Sequence, residues 1–185
     1  MRLSILRLVT ACLAVASVEP LGATVFVPGE WSELVVASGA IAHGRIVEVR
    51  PQVAADRRRV ETIVALQVAT YLKGDWGARV TFRVPGGRIG RYQTIVLDAP
   101  TFVPGEEVVL LLGARGPSVP YVLGLSHGVF RVTRDPRSGE RLVAPVPVVG
   151  EGGDWRPVVR GDRARGPLAL TEFAGQVRQI LAVRP

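Results

Sequence analysis

The most specific chemical pattern in the sequence is GLSHG at residues 124–128, which matches the GxSxG motif around a nucleophilic serine. That motif needs a strand before the serine, a helix after it and a catalytic histidine later in the chain. Here residues 129–132 alternate like another strand, and the only later histidine is the neighbouring His127. Adjacent side chains on a strand point to opposite faces, so His127 is badly placed to act as a base for Ser126. We interpret the segment as a glycine-flanked bulge or bend in a barrel strand. A hydrolase that uses Ser126 is kept as an alternative.

A metal site is the second chemistry considered, because His43 and His127 are the two histidines of the chain. A catalytic zinc takes three protein ligands at a recognisable spacing, and the sequence indicates no third ligand. We therefore predict no metal, no other cofactor and no catalytic constellation, so that the protein is not an enzyme.

Two arginine-bearing segments are the candidates for binding. Residues 57–59 are three consecutive arginines, and residues 85–91 (PGGRIGR) form a glycine-rich stretch without the Gly-Lys-Ser/Thr ending of a nucleotide-binding P-loop. Both segments are expected at turns, where basic side chains reach anionic partners. The candidate binding residues are Arg57, Arg58, Arg59, Arg88 and Arg91.

The N-terminal residues 1–23 have the layout of a secretory signal peptide. Arg2 and Arg7 precede an apolar stretch at residues 8–18, and small residues lead to Ala23. A stretch this short does not cross a bilayer, which takes roughly 20 helical residues. We predict cleavage after Ala23, export to the periplasm or the extracellular space, and no transmembrane span after cleavage. The lone cysteine, Cys12, would be removed, which excludes disulfides and Cys-ligated zinc.

The charge balance favours an anionic partner. The chain carries 23 Lys+Arg against 16 Asp+Glu, a formal net charge of +7. A basic surface attracts acidic proteins and anionic polymers, whereas nucleic acid is an improbable partner outside the cell. We expect an unidentified extracytoplasmic protein or anionic polymer and no nucleic acid.

Strand patterns dominate residues 24–146. Apolar residues alternate in 45–50 and 60–72, which predicts a long hairpin with the three arginines at its tip. Residues 79–84 predict a half-exposed strand, and residues 108–112, apolar on both faces, predict a central one. Further strands are expected at residues 121–125 and 129–133, as one interrupted strand or two, and at residues 141–143.

Helices are predicted at the two ends of the exported chain. Residues 31–38 are expected to form a short helix ended by Gly39, and residues 170–181 carry one apolar helical face with Thr171 as its cap. Residues 147–168, rich in Gly, Pro and Arg, predict a linker or arm. The domain plan is a signal peptide at 1–23, a β domain at 24–146, the linker at 147–168 and a helix at 169–185.

The predicted fold is mainly β: a small barrel or sandwich of about five to seven antiparallel strands with a short N-terminal helix and a C-terminal amphipathic helix. Residues 40–46 (AIAHGRI), 68–75 (VATYLKGD) and 102–112 (FVPGEEVVLLL) resemble a group of secreted bacterial proteins with an OB-fold barrel. The pattern is similar to the netrin-like modules that include tissue inhibitors of metalloproteases, and it covers about residues 33–134. The resemblance implies an OB-like barrel.

The same resemblance implies an alternative function, that of an inhibitor or accessory protein of a secreted hydrolase. The inhibitors bind zinc through a mature N-terminal cysteine, which the cleaved chain lacks, so no functional residue is carried over. The sequence therefore favours an exported, non-enzymatic module that binds its partner through basic loops.

Overall fold

The computed structural model describes residues 31–116, 119–146 and 167–183. The predicted signal peptide and nearly all of the predicted linker lie outside these residues. Within the described ranges, no helix is long and apolar enough to cross a membrane.

The described chain is mainly β, as predicted, with a helix near each end. Helix α1 (Trp31–Ala37) precedes the strands and helix α2 (Leu170–Val183) follows them. A 3-10 helix occupies Leu125–Gly128. In the parts that the structure describes, the strands are β1 (Ala40–Val53), β2 (Val60–Lys73), β3 (Arg79–Pro85), β4 (Gly87–Ile89), β5 (Tyr92–Thr94), β6 (Glu107–Gly113), β7 (Tyr121–Val122), β8 (Val129–Arg134), β9 (Arg141–Pro145) and β10 (Leu168–Ala169).

The sheet is larger than predicted, and it is mixed. Eight described strands follow the order β1-β2-β3-β7-β6-β8-β9-β10, β1 also pairs with β6, and β4 and β5 form a separate pair. The β3–β7 pairing, through Arg83 and Tyr121, is parallel. The expectation of five to seven antiparallel strands was wrong because β4, β5, β7 and β10 are two or three residues long. In strands of two or three residues, apolar and polar side chains do not alternate over enough positions to indicate a strand in the sequence. Only their pairing with neighbouring strands defines them.

The hairpin of β1 and β2 is the longest element of the sheet. The strands pair from Ile41 opposite Lys73 to Val53 opposite Val60. The register shifts after Ile41, after His43 and after Ile46. The predicted hairpin is confirmed, and β1 begins five residues earlier than the alternation indicated. Residues 40–44 are buried without alternation, so only the resemblance at residues 40–46 indicated that a strand begins there.

One apolar cluster lies on the inner side of this sheet. It includes Val64, Leu66, Phe82 and Leu110, all fully buried, and Phe82 packs edge-to-face on Phe102 with ring centroids 5.5 Å apart. Edge-to-face packing is favourable for two aromatic rings because the positive edge of one ring meets the negative face of the other.

A second apolar cluster lies between the sheet and the two helices. Ile41, Val109 and Leu111 contribute from the strands, and Phe173 and Val177 contribute from α2. Residues of β6 therefore enter both clusters, which confirms the prediction of a central strand covered on both faces.

The ends of the helices are held by contacts that join them to the sheet. Lys73 Nζ donates to the carbonyl oxygens of Val35 and Val36, at 3.0 and 2.7 Å, at the end of α1. Burial of this ammonium lowers the pKa of Lys73. Helix α2 begins at Leu170, so Thr171 lies inside its first turn and the predicted cap was wrong. The preceding Leu168–Ala169 pairs with β9, so the chain passes directly from strand to helix.

Candidate functional site

The turn between β1 and β2 carries the three consecutive arginines, as predicted. Asp56 organises this turn by accepting hydrogen bonds from the Arg58 N–H at 3.0 Å and from Arg59 Nε at 2.9 Å. These bonds, first that of the Arg58 N–H and then that of Arg59, hold the pKa of Asp56 below its ordinary value. Arg59 is thus paired within the turn. The Arg57 and Arg58 side chains are exposed, and their guanidinium groups form no ion pair with a carboxylate of the described chain.

The second basic segment is a small hairpin rather than a plain loop. Strands β4 and β5 pair around a turn at Gly90 and Arg91. The Arg91 guanidinium lies over the Tyr92 ring, 5.1 Å from its centroid, and Arg88 Nε donates to the Gly90 carbonyl at 3.3 Å. Both arginines are exposed, and their contacts stay within the hairpin.

The structure brings these two basic segments together. Val60, which follows Arg59, donates its N–H to Thr94 Oγ1 at 2.8 Å, and Thr62 Oγ1 donates to the Gly86 carbonyl at 2.8 Å. A Cβ on Gly87 would lie 2.7 Å from Thr62 Oγ1, and its φ of 147° disfavours other residues. Glycine at this position therefore permits the β4–β5 hairpin to lie against the β1–β2 hairpin.

An apolar groove opens beside the β4–β5 hairpin, with a volume of about 340 Å³. Val84 and Phe102 of the inner cluster contribute to its lining, and Val49 contributes from β1. Ile95 and Val96 line it from the segment after β5, and Arg88 is also part of its wall.

Large apolar side chains are exposed along residues 92–97, the stretch of chain whose residues 93–96 line this groove. Ile95 is 74% exposed, Leu97 is 82% exposed and Tyr92 is 61% exposed. Contiguous exposed apolar residues often mark a binding surface. No sequence pattern indicated these residues, because residues 92–97 were not assigned to any element.

The segment that carries Ile95 and Leu97 is fixed to the rest of the molecule through Asp98. Its carboxylate accepts a hydrogen bond from the Ser126 hydroxyl, and its carbonyl accepts one from the Ser126 N–H at 3.1 Å. Asp98 has a φ of 62°, in the left-handed region that non-glycine residues avoid. Two hydrogen bonds to one serine compensate this unfavourable backbone geometry.

The GLSHG segment is therefore not a bend in a strand, since residues 125–128 form a 3-10 helix between β7 and β8. The Ser126 hydroxyl donates to Asp98, and Ser126 is 5% exposed. His127 Nδ1 lies 3.3 Å from the other Asp98 carboxylate oxygen, without forming a hydrogen bond. The two side chains thus approach the two oxygens of one carboxylate.

The other histidine lies in a separate cluster around Glu107. His43 Nε2 and Arg141 Nε each lie 2.9 Å from Glu107 Oε1, and Arg45 Nη2 lies 3.5 Å from Oε2. Burial opposes the charge of Glu107, but the His43 hydrogen bond and the positive charges of Arg141 and Arg45 outweigh it and lower the pKa of Glu107. His43 and His127 thus have different carboxylate partners. Among the described residues, no group of three or more His, Cys, Asp or Glu side chains is placed to hold a metal ion.

The neighbouring Glu106 has different partners from Glu107. It pairs with Arg131 and accepts a hydrogen bond from the Val103 N–H at 3.2 Å. The two adjacent glutamates consequently belong to different clusters, as expected for neighbours in an extended segment.

No family model matches this sequence, and comparisons with curated proteins and with solved structures find no match either.

Asp98 and Glu107 are the organising carboxylates that sequence reasoning did not identify. Asp98 offers no local signal, because its partner Ser126 is 28 positions away. Glu107 offers a weak one, since a carboxylate at the start of a buried strand needs compensating partners. Finding Arg45 and Arg141 as those partners requires the pairing of β1, β6, β8 and β9.

Proposed function

We propose that this protein is an exported, non-enzymatic binding module that holds an anionic partner on one basic surface. This basic surface consists of Arg57, Arg58, Arg88 and Arg91. The observation that carries the proposal is the contact of the β4–β5 hairpin with the start of β2, which directly follows the arginine turn.

Charge distribution favours this surface over the arginines that are paired with carboxylates. Arg45 and Arg141 contact Glu107, Arg79 contacts Glu48, and Arg131 contacts Glu106. The four arginines of the basic surface have no such carboxylate contact in the described ranges. Their charges are available to an anion, and clustered charges of one sign raise the local concentration of an oppositely charged partner.

The order of strand pairing supports an OB-like barrel as the scaffold. The pairings lead from β1 through β2, β3, β7 and β6 and return to β1, around the inner apolar cluster. OB-like barrels bind through loops that join their strands, and the basic surface lies on such connections. Export remains a proposal that rests on the charge and apolar pattern of residues 1–23.

The contacts of Ser126 support the non-enzymatic part of the proposal. A buried hydroxyl that donates to Asp98 holds the segment after β5 in place, which is sufficient reason for a serine at this position.

Charge reversal tests the proposed function. The full chain and an Arg58→Glu/Arg88→Glu variant are compared for binding to polyglutamate and to dextran sulfate, at low and at high salt. We expect the unmodified chain to bind at least one polymer in low salt and the variant to lose about tenfold or more in affinity.

The matched control is Arg137→Glu/Arg178→Glu, which changes the net charge equally at exposed positions of the β8–β9 turn and of α2. The control is expected to retain most of the affinity. Equal losses in both double variants, or no salt-sensitive binding by the unmodified chain, would contradict the proposed surface.

A further inference from the structure

We infer that the apolar groove receives an apolar side chain from an acidic peptide segment, so that the anionic partner is a protein. This inference rests on the proposed function, because the acidic residues of that segment would contact the basic surface.

The shape of the groove favours a side chain as the occupant. Its lining reaches the buried Val84 and Phe102 of the inner cluster, and its volume of about 340 Å³ lies within the range of ligand sites. A concave site of this kind fits a group that projects from a chain. A polysaccharide has no apolar side chain to place there, and a bilayer surface does not follow a concave floor.

The composition of the rim favours an acidic segment. Arg88 is in the wall of the groove, and Arg57 and Arg58 lie on the adjacent turn. The nearby carboxylates already have partners: Asp56 contacts Arg59, Glu61 accepts from Gln52 and Asp98 accepts from Ser126. Only Asp56 is paired with a cation, but the five arginines of the two turns (57–59, 88 and 91) outnumber these three carboxylates. The net charge beside the groove is therefore positive, and glutamate or aspartate residues beside the inserted side chain complement it.

Exposed apolar residues extend the contact beyond the groove. Ile95 lines the groove and is 74% exposed, and Leu97 is two positions further along the same segment. The Asp98–Ser126 hydrogen bonds tie this segment to the 3-10 helix. A surface ordered before binding loses less conformational entropy when the partner docks.

The experiment compares two labelled peptides of equal length and equal glutamate content, one with a central leucine and one with serine at that position. Fluorescence anisotropy measures their binding to the full chain. We expect the leucine peptide to bind about tenfold more tightly, which is the effect of burying one aliphatic side chain.

Ile95→Glu tests the location, and the readout is the affinity ratio between the two peptides. An added negative charge weakens the binding of both acidic peptides alike, so the ratio of their affinities reports only the contribution of the leucine side chain. Ile95→Glu is expected to bring the ratio close to one. The matched control Val183→Glu, at a residue of α2 that is 76% exposed, is expected to leave it unchanged.

The outcomes separate the inference from the proposed function. Equal affinities for the two peptides, with both weakened by Arg58→Glu/Arg88→Glu, overturn the inference and leave the proposed function standing. A leucine preference that persists in Ile95→Glu overturns the groove as its site.

Salt-insensitive or absent binding of both peptides, together with absent polymer binding, overturns both proposals. Binding to phosphatidylglycerol vesicles that Ile95→Glu abolishes, without a leucine preference among peptides, overturns the protein partner in favour of a membrane.

Discussion

Glu107 is a partly buried carboxylate with three partners that are cations or can become cations. It lies at the start of β6 and contacts His43 and Arg45 of β1 and Arg141 of β9. A carboxylate in a partly buried position is unfavourable unless donors and cations compensate it. Here the compensation exceeds the cost, because the pKa of Glu107 is lowered despite burial. Glu107 therefore stabilises the junction of three strands when it is ionised.

We predict that Glu107→Gln lowers the free energy of unfolding by about 1 to 2 kcal/mol near neutral pH. A carboxylate with a lowered pKa in the folded state stabilises the protein above the ordinary value of 4.5 and loses this effect as the pH falls through the folded value. The difference between the variant and the unmodified chain should therefore shrink in acid. Urea unfolding of both proteins at neutral pH and at about pH 3 measures it.

The control for this prediction is Glu140→Gln, at an exposed residue of the β8–β9 turn without a side-chain ion pair in the described chain. It should change stability by less than about 0.5 kcal/mol at either pH. A loss in Glu107→Gln that stays constant down to pH 3 would show that the charge is not the stabilising feature.

Residue chemistry also explains the GLSHG segment. Both Asp98 and Leu125 have positive φ values, 62° and 53°, on the two sides of the Asp98–Ser126 contact. Backbone strain on both partners is compatible with a tight structural junction, in which side-chain and main-chain hydrogen bonds together offset the strain. This junction positions the segment next to the apolar groove.

At the scale of elements, the close approach of β1 and β2 depends on Gly44. A Cβ at this position would collide with the backbone carbonyl oxygen of Gln67, and a pairing irregularity separates His43 from Gly44. Gly44 also pairs with Val108 of β6. Irregularities of this type bend a strand, so β1 can pair with β2 along its length and with β6 at its start.

Gly44→Ala is predicted to destabilise the fold by more than about 2 kcal/mol, since backbone atoms on the neighbouring strand must move. Chemical denaturation with far-UV circular dichroism as the signal measures the effect. Failure to accumulate folded protein would agree with the prediction, whereas a stability within about 0.5 kcal/mol of the unmodified chain would contradict it.

The same substitution at Gly175 serves as the control. Gly175 lies inside α2, and a Cβ there would meet no atom within 4 Å. Gly175→Ala is expected to leave stability unchanged or to increase it by up to about 1 kcal/mol, because alanine favours the helix. Only the substitution at Gly44 should therefore lower stability.

At the scale of the whole molecule, the two apolar clusters share the same strands. Residues of β1 and β6 alternate between them: Ala42 and Leu110 belong to the inner cluster, and Ile41 and Val109 belong to the cluster under the helices. Because the same strands contribute to both clusters, loss of packing in one cluster also destabilises the other. We therefore expect the described chain to unfold in one cooperative step.

This cooperativity is tested with Val64→Ala in the inner cluster and Val177→Ala in the cluster under the helices, both at fully buried positions. Each variant should lower stability by about 1 to 3 kcal/mol. Tryptophan fluorescence and far-UV circular dichroism should report the same urea midpoint in each variant. Separate midpoints for the two signals would indicate that the helical layer unfolds independently.

Much of the local structure could be predicted from the sequence. The alternation in residues 60–72 and 79–84, the apolar run at 108–112 and the helical face at 170–181 are each properties of neighbouring residues. Such patterns indicate a strand or a helix because the period of the backbone decides which side chains share a face. The position of Arg57–Arg59 in a hairpin turn was predictable for the same reason.

The arrangement of the candidate site was decided by the tertiary structure. Hydrogen bonds of Val60 and Thr62 join the end of the β1–β2 turn, which carries Arg58, to the β4–β5 hairpin, which carries Arg88. The hydrogen bond between Asp98 and Ser126 joins residues 28 positions apart. The apolar groove likewise requires β1, β3 and the segment after β5 to meet.

The sequence by itself determined the β-rich class, the helix near each end, the basic charge and the arginines in a turn, because these depend on composition and on short-range periodicity. Only the tertiary structure decided the parallel contact of β3 and β7, the ion pairs of Glu107 and the position of the groove beside the basic surface. The reason is physical: such contacts join residues far apart in the chain, and the free energy that selects them comes from packing and pairing of whole strands.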